Sequence, residues 1–177
     1  MINISQSQET DSNAIDKVLL KAFKNHPFSD QGECELVARI KNSADYKPEL
    51  SLVAKDEQNR VIGYILLTPL KIVSDKDQLQ YTGLVMAPLA VLPSHQNKGI
   101  GTQLIKTAQQ AAQNLNFPYI LLLGPHEYFS KFNYETCVSQ DVGFHFHVPE
   151  KYALIKELIP NTLEQINGMV HYPEAFF

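Results

Sequence analysis

Cysteine is scarce in this chain. Only Cys34 and Cys137 are present, too few for a disulfide framework, and both read as buried, reduced thiols of a cytosolic protein. Long apolar runs are missing as well. The candidate Val61 to Val73 is too short to span a bilayer and contains Thr68, Pro69 and Lys71. No charged-then-apolar opening resembles a signal peptide. A basic excess is also absent: 15 Lys and Arg face 19 Asp and Glu, for a net charge of −4, which leaves no electrostatic footprint for nucleic acid. These absences predict a cytoplasmic protein with no membrane and no nucleic-acid partner. No internal repeat, low-complexity tract or linker is visible.

What is present suits a globular protein. The 177 residues are 44% hydrophobic and 19% charged, enough for a real core within one domain over residues 1–177. Ile2 to Ser5 alternates as a strand does. Asp11 or Ser12 can cap a helix with Ile15, Val18, Leu19, Ala22 and Phe23 on one face, stopped by His26-Pro27. A second helix is predicted to start near Asp30, with Glu33 as a capping-box-like partner and Leu36, Val37 and Ile40 as its stripe. Leu50 to Ala54 and Val61 to Val73 read as a hairpin. Tyr81 to Leu92 is a longer strand in which Pro88, lacking a donor, implies a bulge or a break in pairing. A helix with Leu104, Ile105, Ala108, Ala111, Ala112 and Leu115 on one face follows. Tyr119 to Leu123 is an all-apolar strand of the kind buried on both faces. This strand–helix–strand order predicts a βαβ unit with parallel strands. A short helix at Tyr128 to Phe132, strands at Gly143 to Val148, Tyr152 to Ile159 and Met169 to Tyr172, and a helical turn at Asn161 to Gln165 complete the reading.

The segment with the most chemistry is Leu89-Ala90-Val91-Leu92-Pro93-Ser94-His95-Gln96-Asn97-Lys98-Gly99-Ile100-Gly101-Thr102. A strand enters a polar turn with two glycines, and a helix begins at once. The first turn of a helix presents N–H groups without intrahelical acceptors at its positive end, which suits an anion. Gly99 and Gly101 allow close approach and positive φ, and Lys98 adds charge. In isolation the same pattern also describes a tight turn. The lysine precedes the glycine, so this is no Walker loop. Leu104 stands where a dinucleotide fingerprint needs glycine or alanine.

Leu89-Ala90-Val91 followed by Gln96-x-x-Gly99-x-Gly101 resembles the acetyl-CoA signature of the GNAT N-acetyltransferase superfamily. Gly124-Pro125-His126-Glu127-Tyr128-Phe129-Ser130-Lys131-Phe132-Asn133-Tyr134 resembles its second motif, Tyr-Tyr-x-x-Phe-Gly-Phe. Stretches at 48–54, 63–66, 87–91 and 168–173 resemble the YhbS-like branch of small bacterial acetyltransferases. The resemblance implies an α/β (α+β) GNAT-like domain. Its mixed central sheet would have about six to seven strands flanked by helices, with splayed parallel strands near 83–92 and 118–124. It implies acetyl transfer from coenzyme A to a primary amine by direct attack in a ternary complex. Leu89, Ala90 and Val91 would bind pantetheine through their backbone. Gln96, Asn97, Lys98, Gly99, Ile100, Gly101 and Thr102 would surround the diphosphate, and Ser130 would add a coenzyme contact. The acceptor would be a small-molecule or peptide amine, and by analogy the chain would form a homodimer.

The family's usual proton donor lies four residues before the motif glycine. Asn133 replaces that glycine, and counting back gives Phe129, which cannot donate. Tyr128 is adjacent and is the candidate general acid, with packing as its other reading. Glu33, Glu35, His126 and Glu127 are base candidates that also read as solvated surface. His145 and His147 at i, i+2 lack a third ligand, so no metal is expected. His95 reads as an exposed turn residue, while Tyr172, Phe176 and Phe177 read as cleft cover, partner surface or terminal packing. Phe129 and Asn133 keep a second function open, a non-catalytic acyl-CoA-binding regulatory protein. A nucleotide-binding module using the same loop is a third.

Overall fold

The computed structural model describes residues 2–27 and 29–177. Nine strands form one mixed sheet: β1 (Asn3–Gln6), β2 (Ser51–Lys55), β3 (Val61–Val73), β4 (Gln80–Val91), β5 (Tyr119–Leu123), β6 (Glu135–Thr136), β7 (Val142–Phe144), β8 (Ala153–Glu157) and β9 (Gly168–His171). Seven lie on the path β1-β2-β3-β4-β5-β8-β6, while β9 pairs with β3 and β7 with β9. Four α-helices accompany them: α1 (Ser12–Phe23), α2 (Glu33–Lys41), α3 (Ile100–Asn114) and α4 (His126–Phe129). The chain gathers into two compact units. One comprises Met1–Thr68, Ala87–Ala111 and Ala175–Phe177; the other comprises Pro69–Met86 and Ala112–Glu174.

In the first unit, α1 and α2 cover one face of the sheet. Ile15, Val18 and Leu19 of α1 and Val37 and Ile40 of α2 are buried with Val53, Tyr64, Leu66 and Ala90. Burial of each large aliphatic side chain contributes ~1.5–3 kcal/mol. On α3, Leu104, Ile105, Ala108 and Ala112 are buried as their spacing predicts, and Ile100 joins them; Ala111 is half-buried and Leu115 is exposed at the end of the stripe. Gly63 of β3 lets α3 come close: a Cβ there would meet Leu104, Ile100 and the Ala90 carbonyl within 3.0–3.3 Å. A buried hydroxyl chain links Ser7 to Ser51 (2.7 Å) and Ser51 to Tyr64 (2.9 Å), satisfying polar atoms that the core would otherwise strand.

In the second unit, β5 pairs in parallel with β4 at Leu84↔Ile120 and Val85↔Leu121, as the βαβ reading requires. It pairs antiparallel with β8 on its other side. Gly83 accommodates the Tyr119 ring, whose hydroxyl donates to the Tyr81 carbonyl at 2.7 Å.

Several local expectations change. Helix α2 starts at Glu33 rather than Asp30, because Asp30 caps the Gly32 amide (2.9 Å) while Glu33 accepts from Ser29 Oγ. Asp11 precedes α1 but its carboxylate receives the Gln8 amide (2.9 Å) and pairs with Lys55 (2.8 Å) instead of capping the helix. Strand β4 is continuous through Pro88, while its ladder to β5 covers only Leu84 and Val85, in keeping with the break in pairing expected at the proline. Strand β7 stops at Phe144, four residues short of Val148, while residues 161–165 keep the expected turn, the Gln165 and Ile166 amides donating to the Thr162 and Leu163 carbonyls (3.1 and 3.3 Å).

The Asp11–Lys55 pair predicts an acid-labile contribution. Burial raises the Asp11 pKa, but the Lys55 hydrogen bond, the Gln8 amide and the Lys55 and Lys41 charges outweigh it, so the net shift is downward. A carboxylate depressed on folding adds stability above its unfolded pKa and loses it as pH falls through the folded value. Stability of Asp11→Asn should therefore equal that of the parent at strongly acidic pH and fall below it near pH 7. Urea midpoints across pH check this; a constant gap at all pH values would contradict it.

Candidate functional site

The glycine turn forms as read, with a division of labour between its residues. Strand β4 ends at Val91, residues 93–95 make a 3-10 turn, and α3 begins at Ile100. Two residues of the loop are left-handed, Asn97 (φ 60°) and Gly99 (φ 79°). Asparagine tolerates that conformation because its short polar side chain can bond locally. At Gly99 a Cβ would meet no atom within 4 Å, so glycine is there for its backbone and the space before it is open. Gly101 is helical, so the sequence expectation of a positive φ holds at Gly99 alone.

The loop folds back on the strand. Gln96 Nε2 donates to the Val91 carbonyl (3.0 Å), and Lys98 Nζ to the Ser94 carbonyl (3.0 Å). The side chain of Ile100 is buried and anchors the helix start, while Gln96, Asn97, Lys98 and Gly99 are exposed and Thr102 is half-buried. The first-turn amides of α3 have no intrahelical acceptors. His95, half-buried rather than exposed, bonds Ser94 through Nδ1 (2.9 Å).

The preceding strand presents an edge. The Leu92 amide donates to the Ile62 carbonyl of β3 (2.9 Å). Backbone direction alternates along a strand, so Ala90 also faces β3, while Leu89 and Val91 direct their amides and carbonyls the other way. The parallel ladder to β5 covers only Leu84 and Val85. Leu89 and Val91 therefore have polar backbone outside that ladder, and the Val91 carbonyl is held by Gln96. Beside this turn a cleft of about 700 Å³ opens, lined by Lys21, Lys24 and His26 at the end of α1 and by Leu92, Ser94 and Gln96. Its lining contains basic residues and no carboxylate.

Residues Leu89 to Thr102 thus lie together in the first unit, whereas Tyr128 and Ser130 belong to the second. There, Asn133 has φ 61°, which explains how asparagine replaces the motif glycine: the position demands a left-handed residue. Phe129 is buried (7% exposed) against Tyr134 and Phe132, while Tyr128 is half-buried and Ser130 exposed. Lys131 Nζ lies 3.9 Å from the centre of the Tyr128 ring, a cation–π contact that an i, i+3 spacing signals. The sequence reading missed this contact.

The other candidates separate. Glu33 accepts from Ser29, Glu35 and Glu127 are exposed, and His126 is half-buried. Burial raises the Cys137 thiol to about 12, and burial with nearby Asp16, Glu35 and Glu33 raises Cys34 to about 11, so neither is a thiolate near neutral pH. Phe176 packs on the α1–α2 core and Arg39 Nε donates to the Ala175 carbonyl (2.8 Å), so that part of the terminus is packing, while Phe177 is 85% exposed. Among the described residues no helix is long and apolar enough to cross a membrane, and no group of three or more His, Cys, Asp or Glu could hold a metal.

Replacing Gly99 with alanine should cost ~1–2 kcal/mol through backbone strain alone, since space is open there. Asparagine at the same position should cost less. Denaturant midpoints of the two variants test the ordering; equal stability of Gly99→Ala and the parent would contradict it.

The chain as a whole has relatives among known proteins. The profile of the acetyltransferase (GNAT) family matches residues 17–132. The uncharacterised N-acetyltransferase YhbS of Escherichia coli K12 is 27% identical over 162 residues, 92% of this chain and 93% of that protein. The uncharacterised N-acetyltransferase YjhQ of the same strain is 30% identical over 136 residues, 75% of this chain and 72% of its own length. The crystal structure of Escherichia coli YhbS in complex with CoA superposes with a TM-score of 0.85 at 25% identity, covering 99% of this chain and 91% of that one. A Brucella melitensis GNAT acetyltransferase in complex with acetyl-CoA shares the fold, with a TM-score of 0.80 at 24% identity over 100% of this chain and 99% of the other. This chain belongs to the acetyltransferase (GNAT) family.

Proposed function

We propose that residues 1–177 act as one catalytic domain, an acetyl-CoA-dependent N-acetyltransferase that acylates a primary amine by direct attack. The observation that carries this reading is the outward-facing backbone of Leu89 and Val91 next to an open glycine turn at the start of α3. Such a strand edge can pair with the amides of a pantetheine arm as with another strand. First-turn amides of Ile100, Gly101 and Thr102, with Lys98 nearby, suit a diphosphate. The basic cleft beside the turn suits further phosphate charge.

Acetyl-CoA supplies the acetyl group as a thioester. The chain's part is to hold and align. Outward amides of Leu89 or Val91 donate to the acetyl carbonyl oxygen as it gains charge, and alignment of the two substrates supplies much of the acceleration. Tyr128 is the group we assign to protonate the departing sulfur. The raised thiol pKa values of Cys34 and Cys137 support direct transfer over an acyl-cysteine route.

Calorimetric titration should give an acetyl-CoA dissociation constant below about 1 mM. Gly101→Leu, which leaves a helical backbone in place, should weaken binding at least ~10-fold, or ~1.4 kcal/mol. Initial-rate plots with a responsive amine should intersect; parallel lines would indicate a covalent intermediate and overturn direct attack. Tyr128→Phe should lower kcat ~10-fold or more while KM for acetyl-CoA stays constant. The buried Phe129 at the usual donor position favours one second reading, an acyl-CoA-binding regulatory protein without turnover. Thiol release across a broad amine panel decides: release with any amine disposes of the regulatory reading, and binding without release establishes it.

A further inference from the structure

Strands β7 and β9 pair in parallel with Val142↔Gly168, Gly143↔Met169 and Phe144↔Val170 in register. The next step of that register joins His145 to His171. The two imidazoles meet there, with Nε2 atoms 3.3 Å apart, ring centres 4.8 Å apart and ring planes at 78°. Both side chains are exposed. The following step joins Phe146 to Tyr172, whose rings lie 6.0 Å apart, so the register persists beyond the strands' ends.

The two nitrogens lie at hydrogen-bond distance, but the rings are not in line with the contact. A linear N–H···N bond of this length would put the ring centres about 5.6 Å apart, and they are closer than that. The nitrogens meet at an angle, and the rings diverge behind them. Two nitrogens bound to one zinc at ~2.0–2.1 Å and separated by 3.3 Å subtend about 104–111° at the metal, close to tetrahedral. A square-planar ion would require a separation of about 2.9 Å at the same bond length. We propose that His145 and His171, after a small turn of their rings, form a two-histidine chelate for a divalent transition ion such as zinc, with water completing the shell. Lys71 is the register partner of His171 on β3 and is the nearby like charge; its ammonium donates to Gln80 Oε1 (2.9 Å). His147 is outside the pair and serves as an internal control. The chelate would clamp the end of β7 to β9, which holds it to β3. It is independent of the acetyl-transfer reading, since it uses none of those residues.

The test is calorimetric titration of tag-free protein with zinc in a non-coordinating buffer, alongside thermal melts. One equivalent should bind, and zinc should raise the melting temperature by mass action on the folded state. His145→Gln and His171→Gln should each weaken binding at least ~10-fold and abolish the melting shift, while His147→Gln should change neither. Both variants replace exposed side chains, and their metal-free melts report folding separately. Absence of binding to the parent, or binding that survives either His145→Gln or His171→Gln, would overturn the proposal.

Discussion

A strand that leaves part of its backbone outside the sheet ladder is the constraint on which the candidate site depends. Burying an unpaired amide or carbonyl costs about as much as a lost hydrogen bond, so a sheet closes its ladders wherever it can. Strand β4 closes its ladder to β5 at Leu84 and Val85 only. Further along, Leu89 and Val91 direct polar backbone away from β3, and a side chain, Gln96, answers one of the carbonyls. An extended, amide-bearing ligand is the natural complement of such an edge. The turn that follows extends the same logic, because the start of α3 offers amides with no partner in the helix.

Holding this edge in place requires a rigid setting, and the sequence provides it through small residues and asparagines. Gly63 admits α3 against β3, and Ile100 fixes the start of the helix in the core. Among the described residues, five of the eight non-glycine residues with positive φ are asparagine: Asn59, Asn97, Asn116, Asn133 and Asn161. Asn133 is the instructive case. It departs from the motif glycine in identity and takes a left-handed backbone, a conformation that glycine and asparagine both tolerate. The departure at Phe129 differs in kind. Its ring is committed to an aromatic cluster with Phe132 and Tyr134, which leaves the neighbouring Tyr128 as the half-buried phenol.

Much of this was legible before any coordinates. The bounds of β3 and β5 follow from the sequence residue for residue, because apolar runs between turn residues have sharp ends. The strand–helix–strand unit around the glycine turn and its parallel pairing followed from order alone. Legibility failed where local chemistry offered more than one partner. Asp30 and Glu33 have capping-box spacing, yet each found a nearer donor. Asp11 has cap chemistry, yet Lys55, distant in sequence, took its carboxylate. The two-residue strand β6 is too short for a periodic signal, and only its partner β8 defines it.

The sequence by itself determined the features that depend on neighbours a few positions away: helix faces, the glycine turn and the motifs that mark the family. Side-chain periodicity and backbone preference act over one or two turns of chain, so they are written locally. The tertiary structure decided which distant groups meet. Register between β7 and β9 joined His145 to His171, and the fold carried Ala175 to Arg39. Such meetings are set by the packing of the whole core, whose energy is shared among many residues and encoded at none of the positions it brings together.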